Sequence, residues 1–145
     1  MRTLSTITLL LFITACAEKR TGDIEVVNAW IAEIPPVIKV TAALMTLHNN
    51  GDKPSYLIAA SSPKAEKIEI HKSFVVNDLA RMQQQSEVEI PAKGSLAFNA
   101  ETGYHLMFYG AETITAGQQI PVTLAFKDGS ELSIVYEVRD RRNVN

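Results

Sequence analysis

Cysteine is almost missing from this chain of 145 residues: Cys16 is the only one. A single thiol forbids any disulfide within one chain, so the fold must rest on its core. Long apolar runs are missing too. The stretch Ile7–Ile13 is far short of the roughly 20 residues that span a bilayer as a helix. The formal charge is only −2, and no basic stripe with interleaved aromatics occurs, which argues against nucleic-acid binding. Nor is there a basic amphipathic helix to lie on a membrane. A Gly-x-Ser-x-Gly elbow, a Gly-rich phosphate loop, a His-Glu-x-x-His pair and a reactive cysteine are all lacking, so an enzyme is not expected. No internal repeat or low-complexity segment appears.

What is present begins with a leader. Arg2 supplies a basic start, Ile7–Ile13 an apolar stretch, and Ile13-Thr14-Ala15 places small residues before Cys16. Ile-Thr-Ala-Cys resembles the bacterial lipobox. That resemblance implies a lipoprotein signal peptide over 1–15, cleavage before Cys16 and a diacylglyceryl thioether on its sulfur. The competing view is an ordinary signal peptide with an incidental cysteine. Residues 16–22 would then be a lipidated cysteine and a short tether reaching at most about 20 Å. The domain would sit close to the membrane on the outer, periplasmic side of the cell envelope. Ala17, rather than Asp, after the cysteine leans towards outer-membrane sorting in a host with two membranes.

From 23 to 138 the chain reads as strands separated by turn signals. Val40 to His48 ends at Asn49-Asn50-Gly51-Asp52, and Glu87–Ile90 stops at Pro91-Ala92-Lys93-Gly94. Gln119–Phe126 and Leu132–Val138 flank Lys127-Asp128-Gly129-Ser130. Only Lys64–Ile70 and Val76–Gln85 compete as helices, both short and with poor apolar stripes. Eight or nine short strands at this spacing predict an all-β domain, a single antiparallel Greek-key sandwich or barrel. Residues 139–145 form a charged tail.

Two histidine/methionine couples stand out. In Gly103-Tyr104-His105-Leu106-Met107-Phe108-Tyr109, a strand puts His105 and Met107 on one face and Tyr104, Leu106 and Phe108 on the other. His71 follows Lys67-Ile68-Glu69-Ile70 and faces away from Ile68 and Ile70, and Met82 follows from a later loop. Imidazole with thioether suits Cu(I), whose single charge needs no buried carboxylate, whereas Zn(II) gains little from thioether. Two residues apart on one strand face, the two side chains start only about 6.6 Å from each other, close enough to converge on one ion. Neutral ligands also avoid the proton loss that thiolate sites require. An electron-transfer blue-copper centre is disfavoured, because it needs a cysteine thiolate inside the fold.

The four residues are spaced His-x10-Met-x22-His-x-Met. With Asn49-Asn50-Gly51-Asp52, Ile90-Pro91-Ala92-Lys93-Gly94 and Pro121–Phe126 around them, the chain resembles the PCuAC family of periplasmic copper chaperones (DUF461) from about Val26 to Val138. That family's signature is His-x10-Met-x21-His-x-Met, so His71, Met82, His105 and Met107 fall on its four ligand positions. The middle interval is one residue longer here, and the extra residue is assigned to the turn Asn99–Gly103, where it would not change the facing of the next strand. The resemblance implies a cupredoxin-like barrel, a Cu(I) site, and delivery of copper to the CuA subunit of cytochrome c oxidase or to an assembly factor. Binding of Cu(II) through added nitrogen ligands and the oligomeric state are left open.

Plainer readings stand beside this one. A lone methionine in a β-protein is usually core filler, as expected for Met45. His48 reads as a turn-adjacent surface histidine, Trp30 as core or barrel-end packing, and Tyr104 and Tyr109 as packing that could also shield the site. Glu66, Glu69, Glu87 and Glu89 read as solvated strand faces. The competing function is a metal-free β-sandwich lipoprotein acting as a binding or scaffolding module, in which the side chains of His105 and Met82 would lie apart.

Overall fold

The computed structural model describes residues 22–140 and 142. The expected leader, Cys16 and the tether up to Thr21 lie outside those residues, as do 141 and 143–145 of the expected tail. Ten strands follow one another: β1 Ile24–Ala32, β2 Val40–Asn49, β3 Ser55–Ser61, β4 Lys67–Val76, β5 Leu79–Gln84, β6 Val88–Ile90, β7 Gly94–Phe98, β8 Tyr104–Tyr109, β9 Gln119–Phe126 and β10 Glu131–Arg139. Neither segment that competed as a helix is helical: Lys67–Ile70 opens β4, and Val76–Gln85 holds the end of β4, a turn and β5. Arg139, assigned to the tail, closes β10 instead, and Arg142 folds back in an ion pair with Asp140 at 2.7 Å.

The count exceeds the expected eight or nine because Ala80-Arg81-Met82 is the middle of a full strand, joined to a β4 that runs on to Val76. The cause is a two-residue turn. Asn77 and Asp78 both take positive φ, 50° and 60°, the conformation in which a tight hairpin matches the twist of its strands. Asn and Asp tolerate it because their short polar side chains can bond locally.

The strands pair in the order β5-β4-β8-β2-β1-β10-β9-β3-β6, with β7 on β2. β2 pairs with β8 through Val40–Ala43 and then with β7 through Met45–Asn49, so one strand serves two neighbours on the same side. Every pairing is antiparallel except that of β1 with β10. Alternation on β2 buries Ala43, Met45 and Leu47. These meet Leu106 and Phe108 of β8, Leu124 and Phe126 of β9, and Tyr136 and Val138 of β10 in one core. Each large side chain so buried contributes about 1.5–3 kcal/mol. Met45 is core as expected, and its sulfur accepts a hydrogen bond from the Tyr136 hydroxyl at 2.8 Å. Burial pushes that phenol's pKa well up. The result is an all-β, cupredoxin-like sandwich.

One irregularity matters for the site. Between Val27 and Trp30 the register of β1 against β2 shifts by a residue, and Asn28 sits there at φ 53°. This bulge turns Ile31 inward against Ala43 and Trp30 outward against Leu44. Trp30 is thus half-buried on the outer face of the sheet, not in the core.

Candidate metal centre

β8 lies between β4 and β2, and its alternation is as the sequence predicts. Leu106 and Phe108 are fully buried, and His105, Met107 and Tyr109 occupy the opposite face. The turn 99–103, to which the extra residue is assigned, is closed by its own hydrogen bonds. The Gly103 N–H donates to the Asn99 carbonyl at 3.0 Å, the Thr102 N–H to Asn99 Oδ1 at 2.9 Å, and the Thr102 hydroxyl to the Ala97 carbonyl at 2.6 Å. Gly103 ends the turn at φ 79°, where a Cβ would run into the Ser73 carbonyl. Only glycine fits there without strain.

Across the β4/β8 ladder His71 is directly opposite His105, and Glu69 opposite Met107. Partners in a ladder share a face, so His71, Glu69, His105 and Met107 form one cluster. The imidazole centroids of His71 and His105 are 5.9 Å apart. On the other side β5 pairs with β4, setting Gln84 opposite His71 and Met82 opposite Ser73. Met82 therefore comes from a strand rather than a loop. It is 47% exposed, and its Sδ lies 3.1 Å from His105 Nε2. His105 and Met82 are not apart, as a scaffolding module would leave them.

The proton positions follow from the partners. A carbonyl only accepts, so His105 Nδ1–H donates to the Gly103 oxygen at 3.0 Å, and the same oxygen accepts from the Ser73 N–H at 2.9 Å. In the neutral ring Nε2 is then a bare lone pair facing the Met82 sulfur. His71 is 7% exposed, and its Nε2–H donates to Glu69 Oε2 at 2.8 Å. Its Nδ1 is buried with no hydrogen-bond partner. His105 Nε2 and the Met82 thioether thus face each other without a proton between them, and the neighbouring His71 ring carries a second bare nitrogen, a donor set suited to a soft cation. Among the described residues no trio of His, Cys, Asp and Glu is placed to hold a metal.

Glu69 corrects the expectation of a solvated face. Glu69 lies opposite Met107 of β8 in the ladder, and its side chain is only 15% exposed. Its Oε1 takes an ion pair from Lys67 Nζ at 2.8 Å, and its Oε2 the bond from His71. Lys67 first, and His71 next, hold its carboxyl below the usual carboxylate range. The Lys67 ammonium also lies 5.0 Å from the centre of the Tyr109 ring, so Tyr109 packs beside the site. Period-two spacing Lys67, Glu69, His71 was the available signal for this chain of contacts.

Next to the cluster the outer face holds a hollow of about 660 Å³. Trp30, Ala42 and Leu44 line it together with His105 and Met107. Trp30, read from the sequence as core or barrel-end packing, forms part of its wall through the bulge at Asn28.

Known proteins resemble this chain over most of its length. Lxx21020 of Leifsonia xyli subsp. xyli (strain CTCB07), described as "Putative lipoprotein", is 30% identical over 157 residues, covering 100% of this chain and 93% of that one. The solution structure of Cu(I)-DR1885 from Deinococcus radiodurans is 28% identical, covers 88% of this chain and 84% of that one, and superposes with a TM-score of 0.62. The apo PCuAC domain from PmoF1 shares the fold at 23% identity and a TM-score of 0.69, over 83% of this chain and 96% of that domain. A family model described as "Putative lipoprotein LpqE-like" matches residues 24–138. Over nearly all of its described strands, then, this chain is a member of the LpqE-like family.

Proposed function

We propose that this protein is a lipid-anchored Cu(I) carrier of the cell envelope, held to the membrane through Cys16. It takes up one copper ion on His71, Met82, His105 and Met107. The observation that carries the reading is His105 Nε2 aimed at the Met82 sulfur 3.1 Å away, beside a His71 ring 5.9 Å off whose Nδ1 is buried without a partner. Met107 shares the face of His105 and borders the same hollow. Support also comes from the likeness to DR1885, whose solution structure was solved with Cu(I).

The cargo is handed on by ligand exchange, because neutral thioethers and imidazoles can release Cu(I) without the proton uptake that accompanies release from thiolates. Met82, on the edge strand, is the ligand an acceptor reaches first. Delivery to the CuA subunit of cytochrome c oxidase, or to a factor that assembles it, is the destination that the PCuAC resemblance favours. Titration with Cu(I) against a competing chelator should give one equivalent bound. The double variant His105→Ala, Met107→Ala should lose it, and retention of parental affinity would refute the assignment.

A further inference from the structure

We infer that Glu69 is a positioning residue for His71, fixing which imidazole nitrogen is presented to Cu(I) without itself touching the ion. The inference rests on the carrier reading above and specifies how one of its ligands is prepared. A free histidine interconverts between two neutral tautomers, only one of which offers Nδ1 as a lone pair. Here the Glu69 carboxylate accepts from Nε2–H at 2.8 Å, so the proton is held on Nε2 and Nδ1 is left bare. A carboxylate behind a ligating imidazole also raises the basicity of the nitrogen that binds, and such partners typically change metal affinity about 10- to 100-fold.

Glu69 is prevented from becoming a ligand itself. Both of its oxygens are taken, Oε1 by the Lys67 ammonium and Oε2 by His71, and the side chain is largely buried where it stands. Lys67 thus balances the carboxylate's charge beside a site meant for a monovalent ion. His105 is prepared by a different device, since the Gly103 carbonyl holds the proton on Nδ1 and frees Nε2. The two histidines are therefore preset on opposite nitrogens, one by a side chain and one by the backbone, and only the first partner can be removed by truncating a side chain.

The experiment is imidazole ¹⁵N NMR on the labelled protein, before and after one equivalent of Cu(I), combined with chelator competition on Glu69→Ala and Glu69→Gln. Before copper, His71 should show a protonated Nε2 and a bare Nδ1. On loading, the Nδ1 resonance should move while Nε2 keeps its proton. Glu69→Ala should mix the tautomers of His71 and weaken Cu(I) binding about 10- to 100-fold. Glu69→Gln, whose amide oxygen still accepts from Nε2–H, should restore the tautomer and part of the affinity.

A His71 protonated on Nδ1 in the parent protein, a copper-induced shift at Nε2, or an unaltered tautomer in Glu69→Ala would overturn the inference. Because the tautomer is read before any copper is added, its failure is distinguishable from failure of the carrier reading. A parent protein with the expected tautomer but no Cu(I) binding would refute the carrier and, with it, the role of Glu69 towards the ion.

Discussion

β8 and β5 both supply candidate ligands, yet they are opposite kinds of strand. β8 is paired on both sides, with Leu106 and Phe108 fully buried beneath His105 and Met107. β5 lies at the end of the sheet order, all six of its residues are exposed, and its only strand partner is β4. The histidines and Met107 therefore inherit the rigidity of the core, whereas Met82 stands on an edge. A site built this way separates holding from release. Three donors are fixed by packing and hydrogen bonds, and the fourth lies where another protein can reach it.

The comparison breaks most visibly at the core. Phe108→Ala should cost about 3–5 kcal/mol, the range for emptying a large buried aromatic. Denaturant unfolding would measure it, and a loss below about 1 kcal/mol would mean that β8 is not the rigid half. Gly103→Ala should cost about 1–3 kcal/mol, since a Cβ there meets the Ser73 carbonyl at a φ that suits glycine. The same change should weaken Cu(I) binding by disturbing the carbonyl that orients His105, a coupling that chelator competition on the refolded variant would test. Met82→Leu is the smallest and sharpest case. Stability should stay within about 0.5 kcal/mol, as for other exposed positions, while Cu(I) affinity falls about tenfold or more, equivalent to about 1.4 kcal/mol. A stability loss larger than the binding loss would place Met82 with the framework instead of the edge.

Much of this arrangement is legible in the residues. The alternation of Tyr104 to Tyr109 gives the faces of β8 correctly, with His105 opposite His71 in the ladder. What stays hidden depends on neighbours distant in sequence. Glu69 looks solvated because the period-two spacing of Lys67, Glu69 and His71 puts the three on one face without showing that Lys67 and His71 close on its two oxygens. Met82 looks like loop because the hairpin rests on Asn77-Asp78, a pair without the glycine that usually marks such turns. Trp30 faces outward because of a single bulged residue, an effect that no local hydrophobic pattern encodes. The parallel pairing of β1 with β10 joins segments about a hundred residues apart, beyond the reach of strand-by-strand reading.

That last pairing has a mechanical meaning. β1 is the first strand after Gly22 and lies inside the sheet, bonded along its length to β2 and at its far end to β10. Tension applied at Gly22 along β1 would load its inter-strand bonds together, in shear, instead of peeling them one after another as at a frayed edge. With the anchor proposed at Cys16, a pull on the tether would meet this resistance at the end where the chain is held.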